Sequence, residues 1–234
     1  MTETRLEELR RGLLSVQRRI GHAARSVNRS PDDVTLIVVT KTFPTSDVRL
    51  LASLGVHDIG ESRHQEAVVK KQECADLALR WHFVGRLQSN KASAVARYAS
   101  VVHSVDRLTL VGKLADGAAR SGRGVDCLIQ VNLHGGDGRG LGGAGTGDLE
   151  RLADSIASAG GLALRGLMAV APLGADPTGA FERLSELSQR LRRLHGEATW
   201  ISAGMSGDLE AAVVHGATHV RVGSAVLGAR PLLR

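Results

Sequence analysis

VTLIVVT, residues 34–40, is a nearly continuous run of aliphatic and β-branched side chains. A strand with one wet face alternates polar and apolar positions. A run apolar at both parities is a strand covered on both faces, as in a parallel sheet whose crossovers are helices. The pattern downstream keeps that promise. Ser46 to Leu54 reads as a helix with Ser46 as its N-cap, and Val56 to Ile59 as a short strand followed by a helix from Ser62 to Leu79. Strands Trp81–Val84, Val101–Val105, Val125–Val131 and Leu162–Val170 are followed by helices Ser89–Tyr98, Asp106–Arg120, Thr146–Ala159 and Thr178–His195. The last of these carries Phe181, Leu184, Leu187, Leu191 and Leu194 on one face. Thr199–Ser202 precedes a helix over Asp208–His215, and His219–Val222 a short helix from Ser224. Strict strand–helix alternation means a parallel sheet. Eight units in this length predict a closed (β/α)8 TIM barrel, with a doubly wound open sheet as the alternative.

Upstream, Leu6, Leu9, Leu13, Val16, Ile20, Ala23 and Val27 recur at steps of three and four. This is an amphipathic helix, read as docked on its own domain rather than as half of a coiled coil. Asn28 to Asp33, with Pro31, ends it. The expectation is one domain over 1–234: an N-terminal helix over 1–28 and a barrel over 34–234.

Composition narrows the function. The 234 residues are 43% hydrophobic and 23% charged, with 28 glycines, which excludes collagen, a disulfide scaffold and a wholly disordered chain. No run approaches a membrane span, and the charged N-terminus lacks the apolar core of a signal peptide. The expected location is the cytoplasm, where the two cysteines, Cys74 and Cys127, stay reduced. The net charge of +6 and pI near 10.0 raise nucleic acid as a ligand. Yet the cations are scattered, and Phe43, Phe83, Phe181, Trp81, Trp200 and Tyr98 are too few for base stacking. A solvated basic surface is the simpler account, and a monomer without nucleic-acid or membrane partners is expected.

In such a barrel, chemistry lies in the loops after the strands. The first strand delivers Lys41 to that mouth, where partial desolvation favours an amine nucleophile; a lysine snorkelling to solvent is the bland alternative. The second strand leads into Gly60-Glu61-Ser62 and the third into Gly85 to Lys91 (GRLQSNK), polar runs in which Ser62 and Ser89 are also natural N-caps. The loops after strands seven and eight, Ser202 to Gly207 and Arg221 to Ser224, are small and hydroxylated and open helices, as at barrel phosphate sites. Asp208 and Glu210 would repel a phosphate unless they point away. An amine with a phosphate cradle suits a phosphorylated aldehyde, either pyridoxal phosphate held as a Schiff base or a sugar phosphate in a Schiff-base aldolase.

Segments in order along nearly the whole chain carry a resemblance. They are Val38–Thr42, Ile59–Glu61, Trp81–Lys91 (WHFVGRLQSNK), His103–Asp106, Gln130–Asn132, Arg165–Met168, Gly204–Ser206 with Asp208–Ala212, and Val220–Ser224. The chain resembles the YggS/PROSC family of pyridoxal phosphate homeostasis proteins. The resemblance implies an alanine-racemase-like barrel with pyridoxal 5'-phosphate on Lys41, Arg221 facing the pyridine nitrogen, and Ser206, Gly223 and Ser224 taking the phosphate. Ser62 stands where the family usually has Asn, and Ser224 where Thr is frequent. The loop from His134 to Gly147, with eight glycines, departs from the family's more polar version. Its Gly138-x-Gly140-x-x-Gly143 spacing does not open a helix directly and reads as flexible chain rather than a dinucleotide turn. His57, Glu61 and His64 have no metal-ligand spacing.

Racemases on this cofactor use a further β domain after the barrel, for which no sequence is expected beyond Arg234. A cation at the pyridine nitrogen also weakens the electron sink. The expected function is cofactor binding and intracellular homeostasis without turnover, with cofactor-requiring apoenzymes as recipients. The alternatives are a cofactor-dependent amino-acid racemase, the aldolase and a basic RNA-binding module.

Overall fold

Eight parallel strands close on themselves in sequence order. The computed structural model describes residues 4–133, 142–172, 174 and 176–229. The elements are α1 (Arg5–Ser26), a 3-10 turn (Pro31–Asp33), β1 (Thr35–Val39), α2 (Thr45–Ser53), β2 (Asp58–Glu61), α3 (His64–Glu73), β3 (Arg80–Phe83), α4 (Ser89–Ala96), β4 (Val101–Val105), α5 (Leu108–Ser121), β5 (Val125–Gln130), a second 3-10 turn (Thr146–Asp148), α6 (Leu149–Ser158), β6 (Leu162–Met168), α7 (Thr178–Leu194), β7 (Trp200–Ser202), α8 (Leu209–Val214), β8 (His219–Val222) and α9 (Ser224–Leu227). Closure runs through β1 and β8, with Thr35 beside His219, Ile37 beside Arg221 and Val38 beside Val222. That pairing eliminates the open sheet. The glycine-rich stretch read as flexible lies outside the described residues from 134 to 141.

Most of the core lies between barrel and helices. One cluster joins α1, β1, α2, β8 and α9; the other runs round β3 to β7 with their helices. The stripe of α1 is buried at Leu9, Leu13, Val16, Ile20 and Ala23 within the first cluster, so the helix docks on its own barrel. Leu9, Leu13, Val16 and Ile20 each stabilise the fold by about 1.5–3 kcal/mol. Gly12 makes the docking possible, because a Cβ there would stand 2.5 Å from the Val226 carbonyl oxygen. Arg5 pairs with Asp47 of α2 at 2.6 Å and Arg19 with Glu210 of α8 at 2.5 Å, so α1 bridges the seam where the barrel closes.

Several boundaries differ from expectation. β2 runs to Glu61, because Gly60 and Glu61 stay paired with His82 and Phe83 and a buried lysine neutralises the carboxylate. α3 stops at Glu73, where a turn from Cys74 to Leu77 takes over. None of the expected serine caps holds. Pro44, Arg63 and Gln88 stand at the N-cap positions in place of Ser46, Ser62 and Ser89, and the Ser89 hydroxyl instead accepts from Arg107 at 3.1 Å.

The N-terminal end of the barrel is closed by charge and aromatics. Asp126 binds Arg80 and Arg165, each at 2.7 Å; both guanidinium groups lie against Trp200, whose ring is 4.4 Å from that of His219. Cys74 and Cys127 are buried and unpaired. Among the described residues no helix is long and apolar enough to cross a membrane, and no cluster of three His, Cys, Asp or Glu could hold a metal.

Candidate functional site

The strand ends bring the five residues singled out in the sequence to one place. Lys41, Ser206, Arg221, Gly223 and Ser224 all line a cavity of 460 Å³ at the C-terminal mouth of the barrel, a size suited to a small ligand. Its walls add Val39, Phe43, Val84, Val170 and Met205, none of which was read as functional. Their only sequence signal is that apolar residues follow strand ends where solvent-facing loops would be polar.

Lys41 leaves β1 between two anchored neighbours. The Thr40 hydroxyl donates to Glu61 Oε1 at 2.6 Å, and buried Lys70 of α3 donates to that same oxygen at 2.6 Å and to the Thr40 carbonyl at 2.7 Å. Burial pushes the Glu61 carboxyl up, against the pull of Lys70 and Thr40. On the other side Thr42 holds φ at +69°, in the left-handed region. For a β-branched residue that costs about 1–3 kcal/mol and marks a position fixed by its surroundings. Its amide donates to Glu66 Oε2 at 2.9 Å, which fastens the turn to α3.

Opposite lie the loops after β7 and β8. The Ser224 hydroxyl donates to that of Ser206 at 3.1 Å, and the Ala225 amide donates to the Ser206 oxygen at 3.3 Å. A Cβ on Gly223 would come within 3.1 Å of the Val39 carbonyl oxygen, so the backbone passes close with no side chain in the way. The two carboxylates expected to disfavour an anion point elsewhere. Asp208 accepts the Met205 amide at 2.6 Å, and Glu210 grips Arg19, which also holds the Ser206 carbonyl at 3.0 Å. The first turn of α8 is thereby neutralised from α1.

Arg221 is buried and donates to the Ser202 hydroxyl at 2.7 Å and to the Ala169 carbonyl at 2.9 Å. Its partners are neutral oxygens, not a surface carboxylate. Burial lowers its pKa to about 10, which leaves it charged at neutral pH. Behind Ser202 lies a run of polar side chains, buried His103 and His82 and then partly exposed Asp58. Sequence reading assigned these no role. The available signal was polar residues within otherwise apolar strands, VVHSV over 101–105 and RWHF over 80–83.

The polar run after β3 divides. Gly85 lines the 460 Å³ cavity, whereas Arg86 to Lys91 line a neighbouring hollow of 690 Å³ that shares Ser62. The larger hollow presents Arg86, Gln88, Ser89, Asn90 and Lys91 and lacks all five singled-out residues. The smaller one combines apolar walls, an amine, a guanidinium and hydroxyls, the donor set a phosphorylated aromatic aldehyde requires.

Known proteins resemble the chain throughout. A family model described as alanine racemase, N-terminal domain, matches residues 16–231. The chain is 40% identical to the pyridoxal phosphate homeostasis protein of Mycobacterium tuberculosis, over 97% of this chain and 95% of that protein. It is 34% identical to the protein of that name in Escherichia coli, over 96% and 98%. PipY of Synechococcus elongatus, solved with PLP bound, superposes with a TM-score of 0.79 at 33% identity, over 89% of this chain and 100% of that one. Alanine racemase of Streptomyces coelicolor gives a TM-score of 0.73 at 18% identity, over 97% of this chain and 59% of that one, a likeness of fold alone. With relatives at this identity matched over nearly their whole length, the chain belongs to the pyridoxal phosphate homeostasis protein family, built on the alanine racemase N-terminal domain.

Proposed function

We propose that this protein binds pyridoxal 5'-phosphate in the 460 Å³ cavity, carries it covalently on Lys41, and serves cofactor homeostasis without turning over a substrate of its own. The observation that carries the reading is the convergence of Lys41, Arg221 and the Ser206–Ser224 hydroxyl pair on one apolar-walled cavity. The names of the relatives and the ligand of PipY support it. Pyridoxal phosphate, when bound, supplies an aldehyde that condenses with amines. Everything else falls to the chain. Ser206, Ser224 and the Gly223 backbone receive the phosphate, Val39, Phe43 and Val170 cover the ring, and Arg221 faces the ring nitrogen. A guanidinium there disfavours protonation of that nitrogen, which weakens the ring as an electron sink and favours storage over α-carbon chemistry. In this reading residues 1–234 act as one domain and one monomer, and apoenzymes that use the cofactor are its recipients.

The test combines labelling with a search for turnover. Protein incubated with pyridoxal phosphate and reduced with borohydride should carry the label on Lys41 by peptide mapping. A label on Lys91 or Lys113, or none, would overturn the site. The loaded protein, incubated with L-alanine and analysed by chiral chromatography, should form no D-alanine at enzymatic rates of about 1–10³ s⁻¹. Catalytic D-alanine that vanishes in Lys41→Ala would make the protein a racemase.

A further inference from the structure

A chain of four hydrogen bonds crosses the inside of the barrel from its N-terminal end to the cavity. Asp58, at the start of β2, meets His82 Nε2 at 2.8 Å. His82 Nδ1 lies 3.0 Å from His103 Nε2 on β4, and His103 Nδ1 lies 2.9 Å from the Ser202 hydroxyl on β7. Arg221 NH1 donates to that hydroxyl at 2.7 Å. β4 and β7 are not neighbours in the sheet, so the His103–Ser202 bond spans the barrel interior, where TIM barrels normally stack aliphatic side chains. Both histidines are buried, and Asp58 keeps partial access to solvent.

The two ends fix the direction of every bond. An ionised carboxylate only accepts and a guanidinium only donates. His82 must therefore donate from Nε2 to Asp58, and as a neutral ring it accepts at Nδ1. His103 then donates from Nε2 and accepts at Nδ1 from the Ser202 O–H, whose oxygen receives Arg221. One arrangement satisfies all five groups. Burial holds both imidazoles neutral, well below the ordinary range for His103. For Asp58, burial works against the charge, but His82 and Arg80 outweigh it and keep the carboxyl ionised. Arg80 on β3, Asp126 on β5 and His219 on β8 also bear on the chain, and Asp208 lies on the Arg221 side. A second proton on His82 would reverse His103 and leave the Ser202 proton without an acceptor in the chain.

We propose that Asp58, His82, His103 and Ser202 are positioning residues, a one-way hydrogen-bond chain that orients the Arg221 guanidinium at the cavity and couples it to the opposite end of the barrel. With Ala169 holding its other terminal nitrogen, Arg221 has its plane fixed and three N–H groups remaining. The effect on the cofactor rests on the reading that Arg221 faces the pyridine nitrogen, whereas the chain itself exists without ligand.

The experiment separates the two. In cofactor-free protein, ¹⁵N spectra of the imidazoles between pH 6 and 8 should show His82 and His103 both as neutral Nε2–H tautomers. Asp58→Leu removes the acceptor altogether, so the Nδ1–H tautomer should become populated at His103, which does not touch residue 58. A packing role would leave the tautomer unmoved. An Nδ1–H form of His103 in the wild type, or no change in Asp58→Leu, overturns the chain. In loaded protein, Asp58→Leu and Ser202→Ala should each shift the pH midpoint of the bound cofactor's absorbance by about 0.5 unit or more. Should Arg221→Gln move the spectrum while these two do not, the coupling is refuted and the cofactor site stands. Should Arg221→Gln also leave it unmoved, the placement of Arg221 at the nitrogen fails, and the coupling with it.

Discussion

Ser206 and Ser224 pose the sharpest question at the scale of single residues, because serine at a helix start is also what a simple cap looks like. Their hydroxyls lie 3.1 Å apart on the cavity wall. Removing one should weaken binding of pyridoxal phosphate by about 0.5–1.5 kcal/mol, or up to ~3 kcal/mol for a charge-assisted bond. Pyridoxal, which lacks the phosphate, should bind Ser206→Ala and Ser224→Ala almost as well as wild type. Titration by absorbance reads both, and equal losses for the two ligands would reduce these serines to a link between the loops after β7 and β8. This half of the site was legible because Lys41 and the serines follow strand ends and Arg221 stands one residue before the end of β8, where topology fixes the face. The caps at Ser46, Ser62 and Ser89 were not, since a start one or two residues earlier or later satisfies the same amphipathic pattern. Nor was the polar chain behind Arg221, because pairing a histidine on β4 with a serine on β7 needs the closed barrel.

Among the elements, α1 depends most on one position. At Gly12 a branched side chain would drive into the Val226 carbonyl of α9, and overpacking of that kind costs about 1–3 kcal/mol. Gly12→Val should lower the urea midpoint accordingly and loosen the seam that Arg5 and Arg19 clamp. Gly112, in α5, has nothing within 4 Å of an added Cβ. Gly112→Ala should raise stability by about 0.5–1 kcal/mol through helix propensity. The two substitutions therefore have opposite signs in the same assay, and a stabilising Gly12→Val would contradict the docking geometry. The existence of all eight strand–helix units could be read from VTLIVVT and its successors. Their ends could not where compensation is tertiary, as at Glu61, which stays in β2 because Lys70 reaches it from α3.

For the molecule as a whole, the buried imidazoles set the response to acid. His82, His103 and His219 have native pKa values below the ordinary 6.5, chiefly through burial, with His219 lowered to about 3. Above pH 6.5 they are neutral folded or unfolded and contribute no slope. Below it the unfolded chain takes protons that the native state refuses, so stability falls with pH. Across pH 6.5 to 5.5 His219 should remove about 1 kcal/mol, and His103 and His82 act in the same direction. Urea melts at the two values check this; an unchanged midpoint would mean that these rings are accessible to protons in the native state.

Closure of the barrel through β1 and β8, with α1 packed on α8 and α9, also has a consequence in time. The ribosome makes the apolar stripe of α1 long before its partner Leu227. At about 5–20 residues per second, the interval is on the order of 10–40 s. Throughout it the stripe of α1 can meet β1 and α2 but not α8 or α9, and β1 lacks its β8 edge. The barrel can therefore close only once β8 has been made, and until then part of an apolar helix face stays uncovered.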